Sequence, residues 1–91
     1  MKTIPVTILG YKQSQRYPIW RALTQAQTVF EKEHMEYRLA VQEVTSTEEI
    51  LHFTPVIAFP SLMIAGKLVC VGRSPAKHEI LAWLESEVRH A

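Results

Sequence analysis

Apolar and β-branched positions crowd the first stretch, Thr3-Ile4-Pro5-Val6-Thr7-Ile8-Leu9, which stops at Gly10 and predicts a strand. Pro5 falls near its start, where a missing N–H is tolerated. Residues 10–17 are polar and show no period. From Pro18 the rhythm becomes helical. Ile19, Leu23, Ala26 and Phe30 recur at i, i+4, i+7 and i+11, flanked by Ala22 and Val29, while Gln25, Gln27, Glu31 and Lys32 take the other face. The spacing predicts a helix of about four turns ending near His34. Pro18 suits the first helical position, which leaves Gln13 to Arg16 in a loop; with Ser14 as the cap instead, Pro18 would remove an internal hydrogen bond.

Strict alternation follows: Tyr37, Leu39 and Val41 face one way, Glu36, Arg38, Ala40 and Gln42 the other, as in a half-buried strand. Thr45-Ser46-Thr47-Glu48-Glu49 contains two overlapping capping boxes and predicts a short helix through Ile50, Leu51 and Phe53 that stops before Pro55. Ser61–Ile64 and Lys67–Val71 are apolar runs joined by Ala65-Gly66, a tight hairpin with Gly66 available for positive φ. Within the second run, Cys70 shares a face with Leu68 while Val69 and Val71 take the other. Ser74-Pro75 supplies a cap and a first helical residue for a last helix, whose buried stripe is Ile80, Leu84 and Val88, broadened by Leu81 and Trp83. The order is βαβαββα. A strand–helix–strand start implies a right-handed crossover and a parallel pair, and the closing hairpin makes the sheet mixed. The expected fold is an α/β three-layer sandwich, a four-stranded mixed sheet with helices on both faces.

Composition narrows the function classes. At 91 residues the chain has room for one core, so residues 1–91 are read as a single domain. Ten Lys+Arg against nine Asp+Glu leave a net charge of +1, with no basic surplus to neutralise a run of phosphates, which argues against nucleic acid as partner. The single cysteine excludes an internal disulfide framework and a cysteine-based zinc site. No apolar stretch is long enough for a bilayer and the N-terminus lacks signal-peptide features, so a cytoplasmic protein with no membrane partner is expected.

The segment Val56-Ile57-Ala58-Phe59-Pro60-Ser61-Leu62-Met63-Ile64 resembles the surroundings of the cis-proline in thioredoxins and glutaredoxins. Ala65-Gly66-Lys67-Leu68-Val69-Cys70-Val71-Gly72-Arg73-Ser74-Pro75 extends the likeness to the small thioredoxin-like "redox-active disulfide proteins", which close with a hairpin, a Gly-Arg-x-Pro turn and a C-terminal helix. The element order is also the minimal thioredoxin order. The resemblance covers nearly the whole chain and is densest from Val56 to Leu84. It implies a thioredoxin-like fold, a cis Phe59–Pro60 bond, against the ordinary trans preference, and a Cys-x-x-Cys pair at the start of the first helix.

That pair is where the chain departs from the family. Counting from Ile8-Leu9-Gly10, its positions are Gln13 and Arg16, and the sequence reads Gln13-Ser14-Gln15-Arg16. Disulfide exchange needs an attacking thiolate and a second thiol to resolve the mixed disulfide; neither is present. Ser14 has no base nearby in sequence, His34 lying at the far end of the helix, and reads as a cap or loop residue. Arg16, unfavourable against a helix N-terminus, is expected either to be solvated or to join free helix N–H groups in binding an anion or a partner's carboxylate.

The other candidates carry two readings each. Cys70 in an apolar strand is expected to be a core residue, with a single-thiol link to another molecule as the functional alternative. The Phe59-Pro60 turn is either structural or a place where a partner's extended backbone is received. Tyr11, Tyr17 and Trp20 beside the altered loop either pack on the sheet edge or form a protein-binding patch. His34, His52, His78 and His90 show no i, i+3 or i+4 pairing, so none reads as a metal ligand. The expectation is a thioredoxin-fold protein without redox chemistry or cofactor that binds a protein or peptide; association with a second copy stays open. The alternative is an oxidoreductase relative acting through Cys70 or a partner's thiols.

Overall fold

The computed structural model describes residues 2–10, 13–45 and 60–89. Strand β1 (Lys2–Leu9), helix α1 (Gln13–Glu33), strand β2 (Tyr37–Val44), the hairpin β3 (Ser61–Ile64) and β4 (Lys67–Val71), and helix α2 (Lys77–Arg89) follow in chain order. They build one mixed sheet in the order β2-β1-β3-β4. The β1–β2 pair is parallel across the α1 crossover, running from Lys2 opposite Tyr37 to Leu9 opposite Val44. The β1–β3 and β3–β4 pairs are antiparallel. The expected helix through Ile50, Leu51 and Phe53 and the Phe59–Pro60 bond lie outside the described residues.

Register decides which face each residue serves. Ile4, Val6 and Ile8 of β1 share a face with Tyr37, Leu39, Leu62 and Ile64, and onto that face both α1 and α2 bring their apolar stripes. The α1 stripe is Ile19, Leu23, Ala26 and Phe30, all within 1% of full burial; α2 contributes Ile80 and Leu84. Leu9, Val44 and Met63 form a separate cluster on the opposite face, with Leu68 against it.

Four expectations need correction. Helix α1 begins at Gln13 rather than at Pro18, so Gln13 to Arg16 form its first turn and Pro18 is internal. The hydrogen bond Pro18 cannot donate would go to the Ser14 carbonyl; both residues are exposed, which leaves that carbonyl to water. Helix α2 starts at Lys77, not at Pro75. Glu79 accepts from the backbone N–H of Ala76 at 3.0 Å, the N3-to-cap half of a capping box, so the cap is Ala76 rather than Ser74. Leu68 and Cys70 do not share a face. A bulge pairs Met63 with Leu68 but Leu62 with Cys70, the extra residue Val69 shifts the alternation, and Cys70 joins the helix-side core. Finally, Val41 does not continue the buried row of Tyr37 and Leu39: it is 37% exposed on the edge strand β2.

Candidate functional site

Because β1 and β2 are parallel, the α1 crossover runs back along them, and the first turn of the helix lies at the end of the sheet where β1 and β2 end. Gly10 follows β1 directly, is buried, and donates its N–H to the Val44 carbonyl at 3.2 Å. Arg16 closes this junction. Its guanidinium donates to the Gly10 carbonyl at 2.8 Å and, through Nε, to the Glu43 carboxylate at 3.2 Å. A Cβ on Gly10 would stand 3.1 Å from the Arg16 Cγ, so a side chain there would press on the arginine stem and require it to shift by a few tenths of an ångström. The Arg16 side chain is only 13% exposed, that of Glu43 44%. Ser61 pairs with Leu9, and Pro60 therefore leaves the sheet at the same end as Gly10. Pro60 is half-buried, and its carbonyl accepts from the Gly72 N–H at 2.9 Å.

One turn further along α1, Tyr17 and Trp20 stack, with ring centroids 6.3 Å apart and planes at 25°. Both remain open to solvent, at 52% and 45% exposure, so they pack on each other rather than on the sheet edge. They form one wall of a groove of about 280 Å³ whose other walls are Gln13, Arg16 and Glu43. On the far side of Tyr17 a second groove of about 340 Å³ runs along Pro18, Arg21, Ala22 and Gln25. Aromatic faces beside an arginine and polar ends suit contact with a peptide or protein.

Arg16 is not simply solvated: its side chain is only 13% exposed, and two of its five N–H donors are taken by the chain's own Gly10 carbonyl and Glu43 carboxylate. Glu43 was not singled out by the sequence reading. The available signal was topological, since an acid near the end of the second strand of a βαβ unit sits beside the start of its helix. Ser14 is exposed and Gln15 half-buried in the same turn. His34 stands just past the opposite end of α1, out of reach of Ser14. Tyr11 and Phe59 lie outside the described residues.

Cys70 is buried, and its thiol donates to the Arg73 carbonyl at 3.3 Å. Burial pushes its pKa up; the nearby Arg73 charge partly offsets this and Glu79 adds to it. The thiol rises from a strand, not from the positive end of a helix, and so lacks the usual means of thiolate stabilisation.

The family model described as "Thioredoxin domain" matches residues 21–85. The chain belongs to the thioredoxin-domain family. No curated protein and no solved structure matches it significantly. The matched span begins one residue after Trp20 and takes in most of α1, strands β2, β3 and β4 and most of α2; β1, Gly10, Arg16, Tyr17 and Trp20 precede it, while Glu43 lies within it. In this thioredoxin-domain chain the first turn of α1 carries no sulfur, and the only thiol is on β4. None of the described helices is long and apolar enough to cross a membrane.

Proposed function

We propose that this thioredoxin-domain protein is a non-catalytic binding module for a protein or peptide in the cytoplasm. The start of α1 is its contact surface, the groove between Gln13, Arg16, Tyr17, Trp20 and Glu43; Tyr11 and Phe59-Pro60 are added to it on the sequence alone. The observation that supports this most directly is the way Arg16 is built in. A guanidinium tied to Gly10 and Glu43 fills the place where the family resemblance sets a resolving thiol, and it forms a groove wall next to two exposed stacked rings. Exposed Tyr and Trp beside an arginine have the composition of an interaction hot spot.

The experiment pairs an activity assay with a binding assay on the wild-type chain. Reduction of insulin by dithiothreitol should proceed no faster with the protein than with buffer. Affinity capture should retain a partner that a Tyr17→Ala/Trp20→Ala variant loses, since both rings are exposed and their removal leaves the fold intact. Insulin reduction well above buffer would favour the alternative, an oxidoreductase working through Cys70 or a partner's thiols; a partner retained equally by both forms would move the surface elsewhere.

A further inference from the structure

We infer that Glu33, His34 and Glu85 form a site for one divalent metal ion of the zinc type, at the end of α1 away from the Arg16 groove. The 21 residues of α1 put roughly 30 Å between the two ends. One ligand atom from each of the three residues lies within 4.8 Å of the other two. Glu33 is the last residue of α1 and His34 the next, whereas Glu85 comes from α2, so the site joins two elements that sequence spacing cannot connect.

The imidazole is held in position before any ion arrives. The His34 ring lies 4.8 Å from that of Phe30 and meets Tyr37 edge-on at 6.4 Å. Its backbone is fixed as well, with its N–H donating to the Phe30 carbonyl at 2.8 Å and its carbonyl accepting from the Tyr37 N–H at 3.0 Å. Nε2 is thereby directed at the Glu85 carboxylate, 2.8 Å away. Two ligands on a common ion at tetrahedral geometry and bond lengths near 2 Å stand about 3.3 Å apart. Glu85, half-exposed, needs to withdraw by only about half an ångström to admit the ion between them.

Charge favours the same occupant. With neutral imidazole the three ligands carry two negative charges, and Glu33 stands at the negative end of the α1 dipole, where an anion is unfavourable and a cation favourable. Among the described residues no lysine or arginine forms an ion pair with Glu33 or Glu85. One nitrogen and two carboxylate oxygens with an open fourth position suit zinc; magnesium and calcium prefer all-oxygen shells of six or more ligands. Bound there, the ion would tie the end of α1 to the middle of α2.

The test is calorimetric titration of zinc chloride into the metal-free wild-type chain, with magnesium chloride in parallel and thermal melting of each mixture. One zinc per chain should bind, raise Tm by roughly 10–20 °C at a hundredfold excess over Kd, and be removed by EDTA, while magnesium has no such effect. His34→Gln should abolish binding. Glu33→Gln, at an exposed position that the fold does not need, should weaken it by more than about tenfold, since even outer-shell partners of a metal are worth that much. His78→Gln, on an exposed part of α2, should bind as wild type does. The proposal is overturned by absence of zinc binding to the wild type, by unchanged affinity in Glu33→Gln, or by one zinc shared between two chains.

Discussion

Arg16 donates to the carbonyl of Gly10 at 2.8 Å, so a side chain in the first turn of α1 turns back to secure the point where the first strand ends. A largely buried guanidinium bonded to a backbone carbonyl and a carboxylate is a local fastening as much as a surface feature. Arg16→Met keeps the stem and removes the donors. It should lower stability by about 1.5–3 kcal/mol, the range for hydrogen bonds involving a charged group. Arg16→Lys should recover only part of this, because an ammonium cannot reproduce the fork. Urea unfolding of the three forms checks it, and wild-type stability in Arg16→Met would mean that the fastening contributes nothing.

Leu23 and Trp20 separate core from contact surface on the same helix. Leu23 is 1% exposed in the middle of the α1 stripe, so Leu23→Ala should cost about 2–5 kcal/mol, enough to threaten so small a domain. Trp20, 45% exposed, should cost only about 0.5–1.5 kcal/mol when replaced by Ala, the worth of its stack on Tyr17, although it is the larger side chain. Chemical denaturation of both variants gives the comparison. A costly Trp20→Ala would show that the ring is structural and weaken its assignment to a binding surface.

The helix-side core was legible because it depends on local periodicity: Ile19, Leu23, Ala26 and Phe30 announce their shared face by spacing alone, and α1 buries those four. Features that depend on pairing were not. One added residue in β4 puts Cys70 and Leu68 on opposite faces, and nothing in Lys67-Leu68-Val69-Cys70-Val71 marks where the bulge falls. The Arg16–Glu43 contact spans 27 positions and needs the crossover to be known first. Pro18 misdirected the start of α1 because proline favours the first helical position, yet with Ser14 and Pro18 both exposed, water can take the place of the missing N–H, which makes an internal proline tolerable this close to the helix end. The sulfur-free Gln13-Ser14-Gln15-Arg16 was readable directly, whereas its burial pattern and its groove were not.

The hairpin turn holds a second residue in an unfavourable conformation. Both Ala65 and Gly66 have positive φ, 52° and 78°, as a type I′ turn requires at its two central positions. Left-handed geometry costs an L-residue roughly 1–2 kcal/mol, and glycine gives back about 0.5–1 kcal/mol through the flexibility of the unfolded chain. Ala65→Gly should therefore raise stability by about 0.5–1 kcal/mol. Gly66→Ala, with open space around its missing Cβ, should lower it through backbone strain alone. Opposite shifts in Tm for adjacent residues are the expected result; equal losses would rule out this turn geometry.

Cys70 links the thiol question to the packing of β4. Its burial and raised pKa keep it protonated and shielded near neutral pH. A thiol reagent at pH 8 should react slowly with the native protein and rapidly after unfolding in guanidinium. Raising the pH should speed native labelling less than it speeds labelling of an unfolded cysteine, since access as well as ionisation limits the reaction. Rapid native labelling would revive Cys70 as a single-thiol site.

Glu79 makes the start of α2 sensitive to acid. Its carboxylate accepts two hydrogen bonds from Arg73, at 2.6 and 3.0 Å, and a third from the Ala76 N–H. The Arg73 hydrogen bonds, then the backbone bond, hold its pKa at about 2 instead of 4.5. A carboxylate whose folded pKa is depressed contributes stability above its unfolded pKa and loses it as pH falls through the folded one. The contribution is thus complete above about 4.5 and gone near 2. Glu79→Gln retains an acceptor for the Ala76 N–H but has no charge to offer Arg73. The Tm difference between wild type and Glu79→Gln should accordingly be constant from pH 7 down to about 5, narrow between 4.5 and 2, and vanish below. Because Arg73 stays charged throughout and other groups titrate alike in both proteins, their difference isolates this carboxylate. A gap that persists unchanged at pH 2 would mean that the Arg73–Glu79 pair is not what secures the helix start.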